Sequence, residues 1–494
     1  MDPVTLGMAK SDAKKKFGRL SHSGLMPIAE SRCNPSGSGI MLGQSVSSRI
    51  SVIPTVSTSH VVLVYANISN ANGLGEWGGD CTVKVTAALE YKSTSGVATE
   101  NGIRVPAYFG GQKVGELAPG AILMSDPIPF DAVAGTQLFV RTNMQTNGSS
   151  LGVPTGMSLQ GGTGVGGVNN GEGYVSYAAI RNGTIGTSTA STSQTYPGPV
   201  AILGYVNGYV PTAGIFGDSI QAGTGDGGYG RNDGGYLVRA PTAQPGTSYS
   251  FPTTPVVPFF RLARGGESLN QFLTQASALG AVPTYSHVRN KMSSLVSTVL
   301  FAYGTNDLGG TLATLKTQYI QAANSFLRKG KYFVGCTLLP RTTSTDGWST
   351  AANQTVTAVE SDRAAFNTWL RDGTFASATV NPAGCAIFDG AAAVEVNSSG
   401  VLTLNGGRWK PASGSVVATG TLTAGSSATS LTDSSKTDVY GFKTCLTHRH
   451  QDIADRSPLP KTVARAFNSA TRIRFRRCRP RVRGDPTTSR HRGA

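Results

Sequence analysis

A serine hydroxyl attacks an ester only when a base takes its proton and donors hold the charge that develops on the carbonyl oxygen. Three short stretches of this chain carry residue types suited to parts of that task. Gly217-Asp218-Ser219-Ile220 follows the apolar run 213–216, and a glycine-bearing turn off a strand end is one way to present a serine in a cleft. Gly304-Thr305-Asn306-Asp307 ends the apolar run 295–303, where the Asn306 amide can donate to an oxyanion. Between them lies Arg264-Gly265-Gly266-Glu267-Ser268, in which Gly266 lets its backbone N–H approach a ligand closely. Taken singly, each also reads as an ordinary turn, and Gln221 stands where the G-x-S-x-G elbow needs its second glycine. In this order, each at or just past a strand end, they reinforce one another.

A competing motif is Gly223-Thr224-Gly225-Asp226-Gly227-Gly228, which satisfies G-x-G-x-x-G. A dinucleotide site also needs an acidic residue about twenty positions on for the ribose, and none occurs between Asp233 and Glu267. The stretch therefore reads as a loop, and no metal or organic cofactor is implied. The six cysteines, at 33, 81, 336, 385, 445 and 478, form no C-x-x-C pair, so neither a zinc site nor a disulfide framework is expected.

The elements that must position these residues change in kind along the chain. Residues 1–44 read as a lysine-bearing leader or linker. From 45 to 205 short strands alternate with turn clusters. The clearest is 82–91, where Val83, Val85, Ala87, Leu89 and Tyr91 alternate with Lys84, Thr86, Ala88 and Glu90 and so predict one buried face. Further strands are predicted at 60–67, 103–109, 137–142, 174–180 and 200–206. Many short strands without a helix predict an all-β sandwich, jelly-roll-like in kind. Past 206 the apolar runs 213–216, 295–303, 332–339 and 386–388 predict buried strands. Leu312, Leu315, Tyr319, Ala322 and Phe326 share one helix face, and a second helix is predicted over 355–371. Strands alternating with helices imply a mostly parallel sheet with its ligands at the strands' carboxyl ends.

Charge is concentrated at one end. From Arg449 to Ala494 there are 13 Lys or Arg against Asp452, Asp455 and Asp485, so +10 of the net +16 lies in this segment. Charged residues are 14% of the chain, against about 25% in ordinary domains. A nucleic-acid-binding face on the body is accordingly not expected, although a disordered basic arm binding nucleic acid or an anionic surface and a solvated extension both fit the tail. No apolar run is long enough to span a membrane, and no apolar block follows Lys10, Lys14, Lys15, Lys16 and Arg19, so neither a membrane segment nor an ordinary secretion signal is expected.

With these motifs in hand, residues 205–445 resemble the SGNH (GDSL-type) hydrolases, a family of esterases and lipases. The resemblance implies a flavodoxin-like three-layer α/β/α hydrolase domain at 206–445, with Ser219 as nucleophile and the N–H groups of Ser219 and Gly266 plus the Asn306 amide as the oxyanion hole. The segment 45–205 is similar to the β-sandwich that precedes this domain in some bacterial and phage members. The family also carries Asp-x-x-His near its C-terminus as general base and orienting carboxylate. Here none of the six histidines, at 22, 60, 287, 448, 450 and 491, has an acidic residue three positions earlier. His448 and His450 stand near the expected place without that carboxylate.

Codons read from their third nucleotide offer an explanation. Lys443-Thr444 then encodes Asp or Asn, and Leu446-Thr447 permits His at the Asp-x-x-His spacing. Thr447-His448 permits Pro, Gln451-Asp452 gives Gly or Arg, and Asp452-Ile453 gives His or Tyr. A shifted frame thus permits the whole family block and accounts for the arginine run 472–483, which makes 446–494 a basic tail read out of frame. The expectation is a serine esterase acting on carboxylic esters, with acetylated polysaccharide the favoured substrate. The alternative is a catalytically impaired glycan-binding or phage-tail structural protein.

Overall fold

The computed structural model describes residues 24–31, 33, 41–42, 45–69, 77–79, 81–91, 103–146, 152–154, 157–158, 195–222, 237, 257–274 and 287–411. The predicted strand 174–180, the loop 223–235, His448 and the basic tail lie outside them.

The N-terminal part holds two five-stranded antiparallel sheets. In one, Thr58–Ala66 is flanked by Ala201–Val206 on one side and by Ile122–Met124 and Ile128–Ala132 on the other. In the second, Leu138–Gln145 lies between Ser45–Val52 and Val83–Tyr91, and Val83–Tyr91 also pairs with Arg104–Pro106 and Gly115–Leu117. The sheets face each other: Tyr65 of the first shares a 3.0 Å hydrogen bond with Thr142 of the second, and Tyr91 stacks on Phe130 with ring centroids 3.9 Å apart. Within the stretch read as a leader, Gly24–Pro27 pairs with Ala201–Val206 and completes the first sheet.

One expectation fails at 82–91. Val83–Tyr91 buries both faces, since Ala88 and Glu90 are as inaccessible as Val85 and Leu89, and Lys84 is the residue left exposed. The alternation is real, but Glu90 is paired with Arg141 on the neighbouring strand and with Arg49 on the strand beyond it, and a paired charge can be buried where an unpaired one cannot.

Beyond residue 212 a five-stranded parallel sheet takes over. Its strands are β1 (Ala213–Gly217), β2 (Phe259–Arg261), β3 (Thr298–Ala302), β4 (Tyr332–Cys336) and β5 (Cys385–Phe388), in the spatial order 2-1-3-4-5. β1, β3, β4 and β5 fall on the predicted apolar runs; β2, three residues long, gave no periodic signal. The helices among the described residues include α1 (Ser219–Ala222), α2 (Leu269–Leu273), α3 (His287–Met292), α4 (Leu312–Leu327), α5 (Glu360–Arg371), α6 (Thr374–Ser377) and α7 (Gly390–Val394). α4 buries Leu315, Tyr319, Ala322 and Phe326 as its spacing predicts. α5 starts five residues later than expected because Gln354–Val356 pairs with Thr342–Ser344 in a hairpin.

α2 to α6 supply residues to an apolar cluster with Phe216, Phe301 and Phe333 on one face of the sheet. On the other face Ala213, Ile215, Leu300 and Phe388 pack with Leu237 and Val257. The described residues thus show one helical layer. The larger cluster runs without a break into the core of the antiparallel sheets. At the junction the Ser31 N–H donates to the Phe259 carbonyl of β2 at 2.8 Å.

Candidate active site

β1 is an interior strand, paired with β2 and β3, and the register of Ile215 opposite both Arg261 and Leu300 brings the carboxyl ends of the three strands level. The ladder continues past the end of β2: the Leu262 and Arg264 N–H groups donate to the carbonyls of Ile215 and Gly217, each at 2.8 Å. Gly217 is required here, since a Cβ on it would lie 2.9 Å from the Ala302 carbonyl oxygen and collide with Gln221. The chain then turns at once into α1, whose first residue is Ser219.

The three sequence-predicted blocks are therefore neighbours at one sheet edge. Ser219 lies two residues past β1, Gly266 five past β2, and Asn306 four past β3. Gly266 is exposed and takes φ 72°, a conformation few other residues tolerate. The Asn306 Nδ2 donates to the Glu267 carbonyl at 2.9 Å, which ties the asparagine loop to the glycine loop. The Asp307 carboxylate accepts the Leu269 N–H with both oxygens at 3.0 Å. Ser268 and Gln271 form a reciprocal capping box at the start of α2. Ser219 departs from expectation in one respect: it is buried, 2% exposed, where a serine presented openly in a cleft was expected. His448 lies outside the described residues.

Beneath the edge sits a group that the motifs did not announce. The Glu267 carboxylate, fully buried, accepts two bonds from Arg289 of α3 at 2.6 and 2.7 Å and one from the Tyr303 hydroxyl at 2.6 Å. Arg264 stands 3.6 Å away. One carboxylate thus fixes the glycine loop, the end of β3 and α3 together. Burial, reinforced by Glu267, pushes the Tyr303 phenol well above its usual range, and burial pulls Arg264 below its own. A signal existed in the sequence. In a chain this poor in charge, Arg264 and Glu267 three residues apart beside a motif are candidates for a buried pair.

Asp218 is the second unannounced residue. Its Oδ1 accepts the Ile220 N–H at 3.0 Å, and its Oδ2 is buried. Burial pushes its carboxyl up to about 7. The Ile220 N–H and the Thr305 hydroxyl pull it down, and Asp307 and Glu267 add to the rise. A carboxyl that burial makes harder to ionise therefore stands immediately before the serine.

No family model matches the chain, and no curated protein matches it. Among solved structures it is similar to a family two carbohydrate esterase from Cellvibrio japonicus at 11% identity and a TM-score of 0.27, over 89% of this chain and 97% of that one. It is also similar to a family two carbohydrate esterase from Clostridium thermocellum in complex with cellohexaose, at 9% identity and a TM-score of 0.24, over 74% and 88% of the two chains.

Proposed function

We propose that this chain is a serine ester hydrolase of the SGNH kind. Ser219 attacks the carbonyl of a carboxylic ester, and the N–H groups of Ser219 and Gly266 and the Asn306 amide hold the oxyanion. The ester C–O bond breaks and the alcohol leaves with the proton taken from the serine, and water then hydrolyses the acyl-serine to the free acid and the restored serine. The observation that carries the reading is the levelling of β2, β1 and β3, which sets Gly266, Ser219 and Asn306 side by side at one edge, with Asn306 tied to the glycine loop. The Ser219 proton goes to an imidazole from beyond residue 411: His448 or His450 as the chain is written, or the histidine that the shifted frame encodes. Acetyl esters of carbohydrates are the favoured substrates. The parallel sheet is read as the middle of three layers, supported by the apolar face that carries Ala213, Ile215 and Leu300 and packs Leu237 and Val257.

The test is a fluorophosphonate probe, which labels an activated serine, together with hydrolysis of p-nitrophenyl acetate. The parent, its Ser219→Ala variant and a version with the frame restored from codon 443 are compared. Labelling and turnover are expected to vanish with Ser219→Ala in either frame, and the restored frame is expected to be the faster. Equal labelling with and without Ser219 sinks the assignment. Comparable activity in both frames, lost with His448→Ala or His450→Ala, identifies the base in the chain as written and refutes the frame account.

A further inference from the structure

Ile220, the residue after the nucleophile, packs on a small apolar cluster made by Leu339, Val394 and Trp409, and Trp348 and Ala393 pack on the same cluster. Its members arrive by separate routes. Leu339 follows β4, Val394 ends α7 beyond β5, and Trp409 lies in the short pairing of Glu395–Val396 with Arg408–Trp409. All of these connections leave the carboxyl ends of the parallel strands, so the cluster sits beside α1 on the edge that carries Ser219.

Trp348 is unusual within this group. It is partly exposed, and it takes φ 62°, a left-handed conformation that a bulky side chain adopts only when its surroundings hold it there. They do so in detail. The Trp348 N–H donates to the Ser344 Oγ at 2.8 Å and its indole Nε1–H donates to the Thr342 Oγ1 at 2.9 Å. The Asp346 carboxylate knots the turn by accepting from Ser344 at 2.7 Å, Thr350 at 2.7 Å and Asn353 at 3.1 Å. The hairpin under the turn is itself anchored. The Arg341 Nη1 donates to the Thr305 carbonyl in the asparagine loop at 3.1 Å. The Gln354 amide takes the Trp409 N–H and gives to the Trp409 carbonyl, each at 2.8 Å. The indole is thus held rigidly to both the asparagine loop and the floor under Ile220.

A rigid indole with its polar atom already satisfied leaves for contact the part of its surface that is not packed on the cluster, and here the surrounding turn is polar: Ser344, Asp346, Thr350 and Asn353. A sugar ring matches that combination, because it has C–H faces that pack on an aromatic surface and a rim of hydroxyls that bond to the polar groups beside it. An alkyl chain matches the indole but not its rim. Resting on the reading of Ser219 as nucleophile, we propose that Trp348 is the platform on which the sugar ring of the substrate's alcohol moiety stacks, with Ile220 and the Leu339–Val394–Trp409 cluster as its floor. Trp348 then determines specificity through binding and takes no part in proton transfer.

The full chain is tested with Trp348→Ala and Trp348→Phe, each checked for an unchanged melting temperature. The first measurement is the ratio of kcat/KM on an acetylated methyl glucoside to kcat/KM on p-nitrophenyl acetate, which lacks a sugar. Trp348→Ala is expected to lower the ratio on the order of tenfold or more, the loss of about 1.4 kcal/mol of selective binding, and Trp348→Phe to restore most of it. The second is calorimetric binding of xylohexaose and cellohexaose to the Ser219→Ala chain, expected to be lost with Trp348→Ala. A ratio that does not change, because both esters fall together or neither does, overturns the platform and leaves the indole as scaffold or acyl wall. If neither the parent nor the frame-restored version hydrolyses either ester, the serine chemistry fails by itself and glycan binding decides: absence of binding, or binding equal with and without the indole, overturns the platform.

Discussion

Two glutamates in this molecule sit in nearly the same electrostatic surroundings and do different work. Glu90, in the second antiparallel sheet, lies between Arg49 and Arg141, with the Arg49 guanidinium 3.4 Å over the Phe139 ring. Glu267, at the edge of the parallel sheet, lies between Arg289 and Arg264 with the Tyr303 hydroxyl on it. All four arginines and both glutamates are buried. The backbone makes the difference. Glu90 lies within its strand, in the ladders with Leu138–Gln145 and Arg104–Pro106. Glu267 has left the sheet, follows the positive-φ Gly266, and gives its carbonyl to the Asn306 amide. A buried ion pair by itself is therefore no sign of a site. It becomes one where the chain carrying it runs on into the loops at the strand ends.

Truncating either glutamate takes the shared carboxylate from two buried guanidinium groups, which costs about 3–5 kcal/mol. Glu90→Ala and Glu267→Ala are expected to lose similar stability in urea titrations. The rate of fluorophosphonate labelling per folded molecule separates them: it should stay at the parent value in Glu90→Ala and fall in Glu267→Ala, where the Asn306 anchor loosens. Equal labelling in the two variants would break the distinction.

A third buried carboxylate lacks the counter-ion that the two glutamates share. Asp218 holds its proton up to about 7 in the folded chain, while in the unfolded chain it ionises near 3.9. Between these values the unfolded state alone releases the proton, so folding stability falls as pH rises from about 4 to 7, by up to roughly 4 kcal/mol, and is level above. Asp218→Asn keeps an acceptor for the Ile220 N–H and removes the titration. It is expected to be more stable than the parent at pH 8 and to lose that advantage at pH 4.5, as read from urea midpoints. An unchanged pH slope would mean that Asp218 is ionised in the folded chain.

How much of this was legible follows from what kind of signal each residue leaves. β1, β3, β4 and β5 are continuous apolar runs, and α4 is a clean heptad-like stripe, so burial writes itself directly into residue type. The three motif blocks were legible because each lies at the end of such a run, except that of Gly266: β2 is three residues long, and its place was inferred from the motif alone. Glu90 misled because a period of two assigns charged residues to solvent, and only the pairing with Arg49 and Arg141, 41 and 51 residues away, reverses that. Arg289 and Tyr303 belong to Glu267 for the same reason, through contacts 22 and 36 residues apart. The start of α5 was lost to a hairpin whose partner strand lies before it, which no local pattern records.

Asn306 tests the functional half of the comparison directly. Its Nδ2 carries two hydrogens, and one is committed to the Glu267 carbonyl, which leaves the other for an oxyanion. Asn306→Ala removes that donor and the tie between the two loops. In the most active form of the chain kcat is expected to fall about 10² to 10³-fold, the usual effect of one oxyanion donor, with KM changed little, because the interaction strengthens only as the carbonyl becomes tetrahedral. A loss confined to KM would assign Asn306 to substrate binding instead.

The smallest effect separates the two regions through a single hydroxyl on each side. Tyr65 shares its hydrogen bond with the neutral Thr142 at 3.0 Å between the antiparallel sheets, while Tyr303 donates to the Glu267 carboxylate at 2.6 Å. Both rings are fully buried, so removing the oxygen creates the same small void and the difference lies in the partner left behind. A neutral buried bond contributes about 0.5–1.5 kcal/mol and one to a charged group about 1.5–3. Tyr303→Phe is therefore expected to cost roughly 1 kcal/mol more than Tyr65→Phe in denaturant unfolding. Tyr303→Phe leaves Glu267 held by Arg289 through both oxygens, so labelling of Ser219 should slow only slightly in that variant and not at all in Tyr65→Phe. Costs that come out equal would mean that Arg289 alone satisfies Glu267 and that Tyr303 contributes packing rather than positioning.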